Sequence, residues 1–132
     1  MVGIVIVSHS RVLAEGVKEL AEMMAREVKI ACAGGLEEGL SGVSYERVTT
    51  AVEEVCGRDG ALIFGDMGSA ILTSELVLEE MKDDKLQLVN APLVEGVVRA
   101  AALASGGADV ETIRQKVEAE WKKLGGDCHS LS

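Results

Sequence analysis

The chain has 132 residues, 48% of them hydrophobic and 27% charged, which fits one folded domain with a real core and excludes a disordered chain. A net charge of -9 argues against a protein that grips the phosphates of nucleic acid, because that binding rests on lysine and arginine; it suits a basic protein partner better. No apolar stretch approaches the ~20 residues of a membrane span, and the short N-terminal apolar run lacks a basic flank, so neither a span nor a signal peptide is read and a cytoplasmic location is expected.

Val2 to Val7 is a continuous apolar run rich in β-branched residues, the pattern of a strand buried on both faces. Val12, Leu13, Val17, Leu20, Ala21 and Met24 then recur at helical spacing as far as about Arg26. Val28 to Ala31 reads as a second strand, Gly34 to Gly42 as a glycine-rich loop, and Tyr45, Val48, Val52 and Val55 as one face of a second helix. Ala61 to Phe64 is a third strand, Gly65 to Gly68 a tight turn, and Ile71, Leu72, Leu76, Leu78 and Met81 mark a third helix. Leu86 to Val89 is a fourth strand. Pro92, suited to a first helical position, opens a helix running to about Ala104. A last helix, Val110 to Leu124, follows the Gly106-Gly107 break; residues 1–124 form one domain, and 125–132 are expected to be a flexible tail.

Strands alternating with helices imply an α/β fold with a parallel sheet and right-handed crossovers. Ligands of such open sheets bind beyond the carboxyl ends of the strands, so a site is expected in the loops after Val7, Ala31, Phe64 and Val89. His9, one of two histidines, stands at the mouth of a helix, where unpaired amides form an anion site. A phosphoryl group on its ring could be held there, with Ser8 or Ser10 adding a hydroxyl. Asp66 suits the acceptor of the other ring N–H, fixing the tautomer and raising the nucleophilicity of the free nitrogen. Gly68 lets the backbone come close, and Ser69 is placed to cap the third helix while offering its amide and hydroxyl to the same anion.

Each of these residues has a plainer reading. His9 could be a hydrogen-bonded structural residue, Asp66 and Ser69 helix caps, and Glu95 a charge that complements a helix dipole. Arg11 could steady a phosphate or simply start a helix in solvent. His129 lies in the acidic tail, away from the site. Gly34, Gly35 and Gly39 lack the order of a phosphate loop. Cys32, Cys56 and Cys128 are odd in number and lack C-x-x-C spacing, so they read as buried or incidental thiols, and no metal site is expected. Other uses of this architecture fit less well. Flavin binding calls for aromatic stacking that these loops do not offer, a phosphoacceptor receiver needs an acidic pair where Ser8-His9-Ser10 stands, and a serine hydrolase needs G-x-S-x-G.

Val5-Ile6-Val7-Ser8-His9-Ser10 with Leu13-Ala14-Glu15-Gly16-Val17, then Gly65-Asp66-Met67-Gly68-Ser69-Ala70, then Ala91-Pro92-Leu93-Val94-Glu95-Gly96, closely resemble the phosphotransferase subunit of PTS-dependent dihydroxyacetone kinase. The first domain of that family is similar to the enzyme IIA domain of the mannose-type sugar phosphotransferase system. The resemblance implies a three-layer open sheet of about four mainly parallel strands in the order 2-1-3-4, with helices on both faces. It makes His9 the phosphorylated histidine, Asp66 its orienting carboxylate and Ser69 a phosphate-binding hydroxyl.

The same resemblance implies that His9 takes a phosphoryl group from HPr, ultimately from phosphoenolpyruvate, and passes it to ADP held in a nucleotide-binding kinase subunit. A third subunit, which binds dihydroxyacetone, consumes the ATP so formed. No tightly bound cofactor is implied beyond the transient phosphoryl group. Some family members continue into HPr-like and enzyme I-like domains, so a separate donor protein is expected here. A homodimer is expected by family, although the added edge strand of mannose-type domains is not found. The family's second-loop glycine-threonine pair is only approximated by Gly42-Val43-Ser44, which leaves Ser44, with Arg11 and Met67, as a weaker site candidate. Met67 and Leu93 are expected at a docking surface, with core packing the plainer role for Leu93. Two alternatives remain at this point: delivery of phosphate to a sugar-transport subunit, or a regulatory ligand-binding domain on the same fold.

Overall fold

The computed structural model describes residues 1–123. In chain order the elements are β1 (Gly3–Ser8), α1 (Arg11–Met24), β2 (Ile30–Gly34), a 3-10 turn at Glu37–Gly39, α2 (Tyr45–Val55), β3 (Ala61–Gly65), α3 (Gly68–Met81), β4 (Leu86–Leu88), α4 (Leu93–Ser105) and α5 (Val110–Lys123). The four strands form one sheet in the order β2-β1-β3-β4, with every neighbouring pair parallel. That order reverses direction between β1 and β3. The carboxyl ends of those two strands, bearing Ser8-His9 and Asp66, therefore open onto one crevice.

β1 is wholly buried because it lies between helical layers on both sides. Its alternate residues divide between two cores. Ile4 and Ile6 pack with Ala14, Val17 and Ala21 of α1, with α4 and with α5. Val5 and Val7 pack with Val48 and Val52 of α2 and with Ala70 and Val77 of α3. No described helix is long and apolar enough to cross a membrane.

The expected elements are all present, with shifted ends. β2 begins and ends later than Val28 to Ala31, because Cys32, Ala33 and Gly34 pair with Ile6, Val7 and Ser8. Gly34 thus belongs to the strand rather than the loop. A Cβ at Gly34 would meet the Arg11 Cα at 2.8 Å, so only glycine lets the first turn of α1 seat against β2. Pro92 is the residue just before α4 rather than its first member. The expected tail and the end of the last helix, residues 124–132, lie outside the described residues, as do Cys128 and His129.

Helical spacing in α1 covers more than its core-facing side. Ala14, Val17 and Ala21 are buried, whereas Val12, Leu13, Leu20, Met23 and Met24 are exposed. α3 shows the same excess at Leu72 and Leu76. Small residues on the buried faces bring these helices close to the sheet, and the larger apolar residues are left outside.

Candidate functional site

β1 ends in Ser8 and β3 in Gly65, and parallel pairing of the two strands sets Val7 beside Gly65. The Asp66 amide continues this ladder, donating to the Val7 carbonyl at 3.1 Å. The carboxylate is thereby brought back over the first loop, where it accepts four hydrogen bonds. Oδ2 receives the Ser8 hydroxyl at 2.9 Å and the His9 backbone amide at 3.0 Å. Oδ1 faces His9 Nδ1 at 3.0 Å and receives the Met67 amide at 2.8 Å.

Partial burial pushes the Asp66 carboxyl upward, but the hydrogen bonds from the His9 amide, the His9 ring and the Ser8 hydroxyl outweigh it and hold the group below its ordinary value. Asp66 is thus a carboxylate, an acceptor only, so the proton of the neutral imidazole sits on Nδ1. Nε2 is then unprotonated, and its lone pair can only accept a hydrogen bond. The Ser69 hydroxyl lies in hydrogen-bond contact with it. With 24% of its side chain exposed, His9 remains open to an incoming group.

The lowered carboxyl has a consequence for stability. Because the folded value lies below the unfolded value of about 4, Asp66 stabilises the fold above that range and its contribution disappears as pH falls through the folded value. Urea midpoints of the native protein and of Asp66→Asn should therefore differ at neutral pH and converge in acid, with no convergence above about pH 6. A constant difference down to about pH 2 would contradict the bonding just described.

The remaining expected residues divide clearly. Ser10 is the N-cap of α1 and accepts from the Leu13 amide at 3.2 Å. Ser69 is not a cap. Met67 holds that position without a side-chain bond, and Ser69 is the second residue of α3, which frees its hydroxyl for His9. Gly68 is the exposed first residue of α3, and Met67 is 56% exposed beside it. Ser8 is fully buried; its hydroxyl donates to Asp66 and accepts from the Ser10 amide at 3.0 Å, so it faces the carboxylate rather than the open side of His9. Ser44 caps α2 by accepting from the Arg47 amide at 3.3 Å. Arg11 is exposed and points to both Glu15 carboxylate oxygens at 3.4 Å.

The second loop contributes through its backbone, which side-chain reasoning overlooked. The Gly42 amide donates to the His9 carbonyl at 3.0 Å, and the Gly35 amide to the Ser8 carbonyl at 3.1 Å. Its glycine content was the available signal. The fourth loop supports the site from behind: a Cβ at Gly96 would meet Ala91 Cβ at 3.1 Å and the Phe64 ring at 3.0 Å. Leu93 packs against the same core cluster. Cys32 is partly buried, its thiol pushed upward chiefly by burial and donating to the Ala14 carbonyl at 3.4 Å.

An imidazole with one nitrogen bound to a carboxylate and the other facing a hydroxyl at a helix N-terminus has the geometry of an oriented nucleophile beside an anion site. A family model described as "PTS system fructose IIA component" (EIIA-man) matches residues 3–114. A Lactococcus lactis protein described as "PTS-dependent dihydroxyacetone kinase, phosphotransferase subunit DhaM" is 44% identical over 116 residues, covering 88% of this chain and 93% of that one. The chain belongs to the EIIA-man family, in its DhaM branch.

An Escherichia coli K12 protein described as "PEP-dependent dihydroxyacetone kinase, phosphoryl donor subunit DhaM" is 40% identical over 136 residues. The match takes in 95% of this chain but only 29% of that longer relative. Among solved structures, a protein of unknown function, EF1359, superposes with a TM-score of 0.77 at 34% identity, covering 89% of this chain and 94% of that one. A phosphotransferase system component EIIA from Streptococcus agalactiae superposes with a TM-score of 0.70 at 20% identity over the full length of both chains, a likeness of fold.

Proposed function

We propose that this DhaM-branch chain is a phosphohistidine carrier. It takes a phosphoryl group from phospho-HPr, with phosphoenolpyruvate as ultimate donor, and passes it to ADP in the nucleotide-binding subunit of dihydroxyacetone kinase. The observation that carries the proposal is the line Asp66–His9–Ser69, with Nδ1 tied to the carboxylate and Nε2 facing the Ser69 hydroxyl at the start of α3.

Phosphorylation begins when the Nε2 lone pair attacks the phosphorus of the donor's phosphohistidine, forming one N–P bond as the donor's breaks. Asp66 stabilises the positive charge that develops on the ring. The equatorial oxygens come to lie over the start of α3, where the Ser69 hydroxyl and the Gly68 and Ser69 amides are donors. In the second transfer a terminal phosphate oxygen of ADP attacks the same phosphorus, the N–P bond breaks, and the lone pair returns to Nε2. Rate comes mainly from positioning and from donors aimed at the transferring group. No resident cofactor takes part.

Partner access is the second requirement, since two proteins must reach one nitrogen in turn. Met67, Val12 and Leu13, all exposed near His9, supply apolar contact, and the acidic surface steers basic partner faces. A cytoplasmic location and a homodimer complete the reading. The chain itself acts as a transferase component of the kinase, with dihydroxyacetone bound by another subunit.

Ser69→Ala should slow phosphorylation of His9 about tenfold, because one charge-assisted donor is lost; stopped-flow quenching with phospho-HPr measures it, and an unchanged rate would remove Ser69 from the phosphate site. The acceptor is tested by mixing the phosphorylated chain with the kinase subunits, ADP and dihydroxyacetone. Discharge with formation of dihydroxyacetone phosphate is the expected result. Discharge only to a mannose-type sugar-transport subunit would overturn the assigned acceptor.

A further inference from the structure

Ser8 is the one side chain of the constellation with no access to solvent, and its hydroxyl proton is already committed. Oγ donates to Asp66 Oδ2 at 2.9 Å and accepts from the Ser10 amide at 3.0 Å. A hydroxyl has a single proton to give, so no donor remains for a phosphoryl oxygen. What the hydroxyl does instead is tie two parts together: the carboxylate that orients His9, and the backbone just before α1.

We propose that Ser8 is a positioning residue that sets the His9 tautomer by fixing the Asp66 carboxylate. The reasoning rests on how the four bonds to Asp66 are shared. Oδ2 is held by Ser8 Oγ and the His9 amide, and this pair sets the rotation of the carboxylate plane. Oδ1 is thereby aimed at Nδ1, with the Met67 amide as its other partner. Without the Ser8 donor, Oδ2 keeps only the His9 amide while Oδ1 keeps its two partners, so the plane is held less firmly and its grip on the Nδ1 proton weakens. The imidazole then populates the tautomer with the proton on Nε2, which has no lone pair to attack phosphorus. Loss of Oγ also leaves the Ser10 amide without its acceptor, so the start of α1 loses a fixed point beside His9.

This inference builds on the proposed role of His9 as phosphoryl acceptor, yet its first readout does not depend on that role. The sequence has only two histidines, His9 and His129, so ring-nitrogen NMR resolves them with His9→Ala as the assignment control. In the native protein His9 should show a protonated Nδ1 and a bare Nε2. Ser8→Ala should shift the population toward the Nε2–H tautomer and slow phosphorylation by phospho-HPr about tenfold, the scale of one lost bond to a charged group. In an Asp66→Ala background the same substitution should have no further effect on the rate, because residues acting through one another are not additive. Ser8→Cys, which keeps a weaker donor, should fall between the native protein and Ser8→Ala in both readouts, and serves alone if Ser8→Ala does not fold.

An unchanged tautomer in the Ser8 variants would overturn the proposal. So would a slowed rate that persists in the Asp66→Ala background, since Ser8 would then act directly on the phosphoryl group. A native protein that takes no phosphate, together with a tautomer that still shifts in Ser8→Ala, would overturn the carrier reading and leave the positioning role standing.

Discussion

Asp66→Asn should phosphorylate at His9 about a thousandfold more slowly than the native protein, the scale on which a misoriented or wrongly protonated catalytic histidine loses rate. The geometry leaves the amide no good orientation. Oδ1 and Oδ2 each receive two donors, and an Asn side chain must place an NH2 in one of the two positions. Toward Oδ1, the NH2 meets the Met67 amide and makes Nδ1 an acceptor, which moves the ring proton to Nε2. Toward Oδ2, it meets the His9 amide and the Ser8 hydroxyl. Either way an N–H faces an N–H, and the charge that balances the developing imidazolium is gone. Quenched-flow phosphorylation with phospho-HPr measures the loss, and circular dichroism checks that the fold remains. A rate within threefold of native would mean that Asp66 is only a structural acceptor.

Phe64→Ala should lower stability by about 3–5 kcal/mol, the usual cost of removing a buried aromatic ring, and reduce the melting temperature by roughly 10–20 °C. Phe64 is among the largest of the fully buried side chains and lies two residues before Asp66 on β3. Its ring fills the space between the sheet and α4, where Gly96 has no side chain to take it up. The cavity left behind could close only by moving α4, whose Ala100, Ala101 and Ala104 are already packed into the same core. A total stability of 5–15 kcal/mol is ordinary for a domain, so the variant should unfold in far less urea while keeping the Asp66–His9 contact when folded. A change in melting temperature below about 3 °C would contradict the packing described.

The architecture was readable because buried parallel strands and amphipathic helices leave different periodicities, and Val2 to Val7 shows the first without ambiguity. The convergence of His9 and Asp66 followed from one topological rule applied to loops at the carboxyl ends of strands. What escaped the sequence was mostly the direction of short polar side chains. Ser8, Ser10, Ser44 and Ser69 are chemically alike in the sequence, yet one braces a carboxylate, two cap helices and one meets the histidine. Two residues of register in the turn before α3 decide whether Ser69 caps that helix or faces His9, and propensity does not fix such a register. The backbone contribution of Gly42 was hidden for a related reason, since an amide donor carries no residue-type signature.

The central claim is that His9 Nε2 carries a phosphoryl group. The most direct measurement is intact mass after incubation of the chain with enzyme I, HPr and phosphoenolpyruvate. One added phosphoryl group is expected, lost on brief acid treatment and absent from His9→Ala. A native protein that gains no mass, or a label that survives acid and persists in His9→Ala, would contradict it.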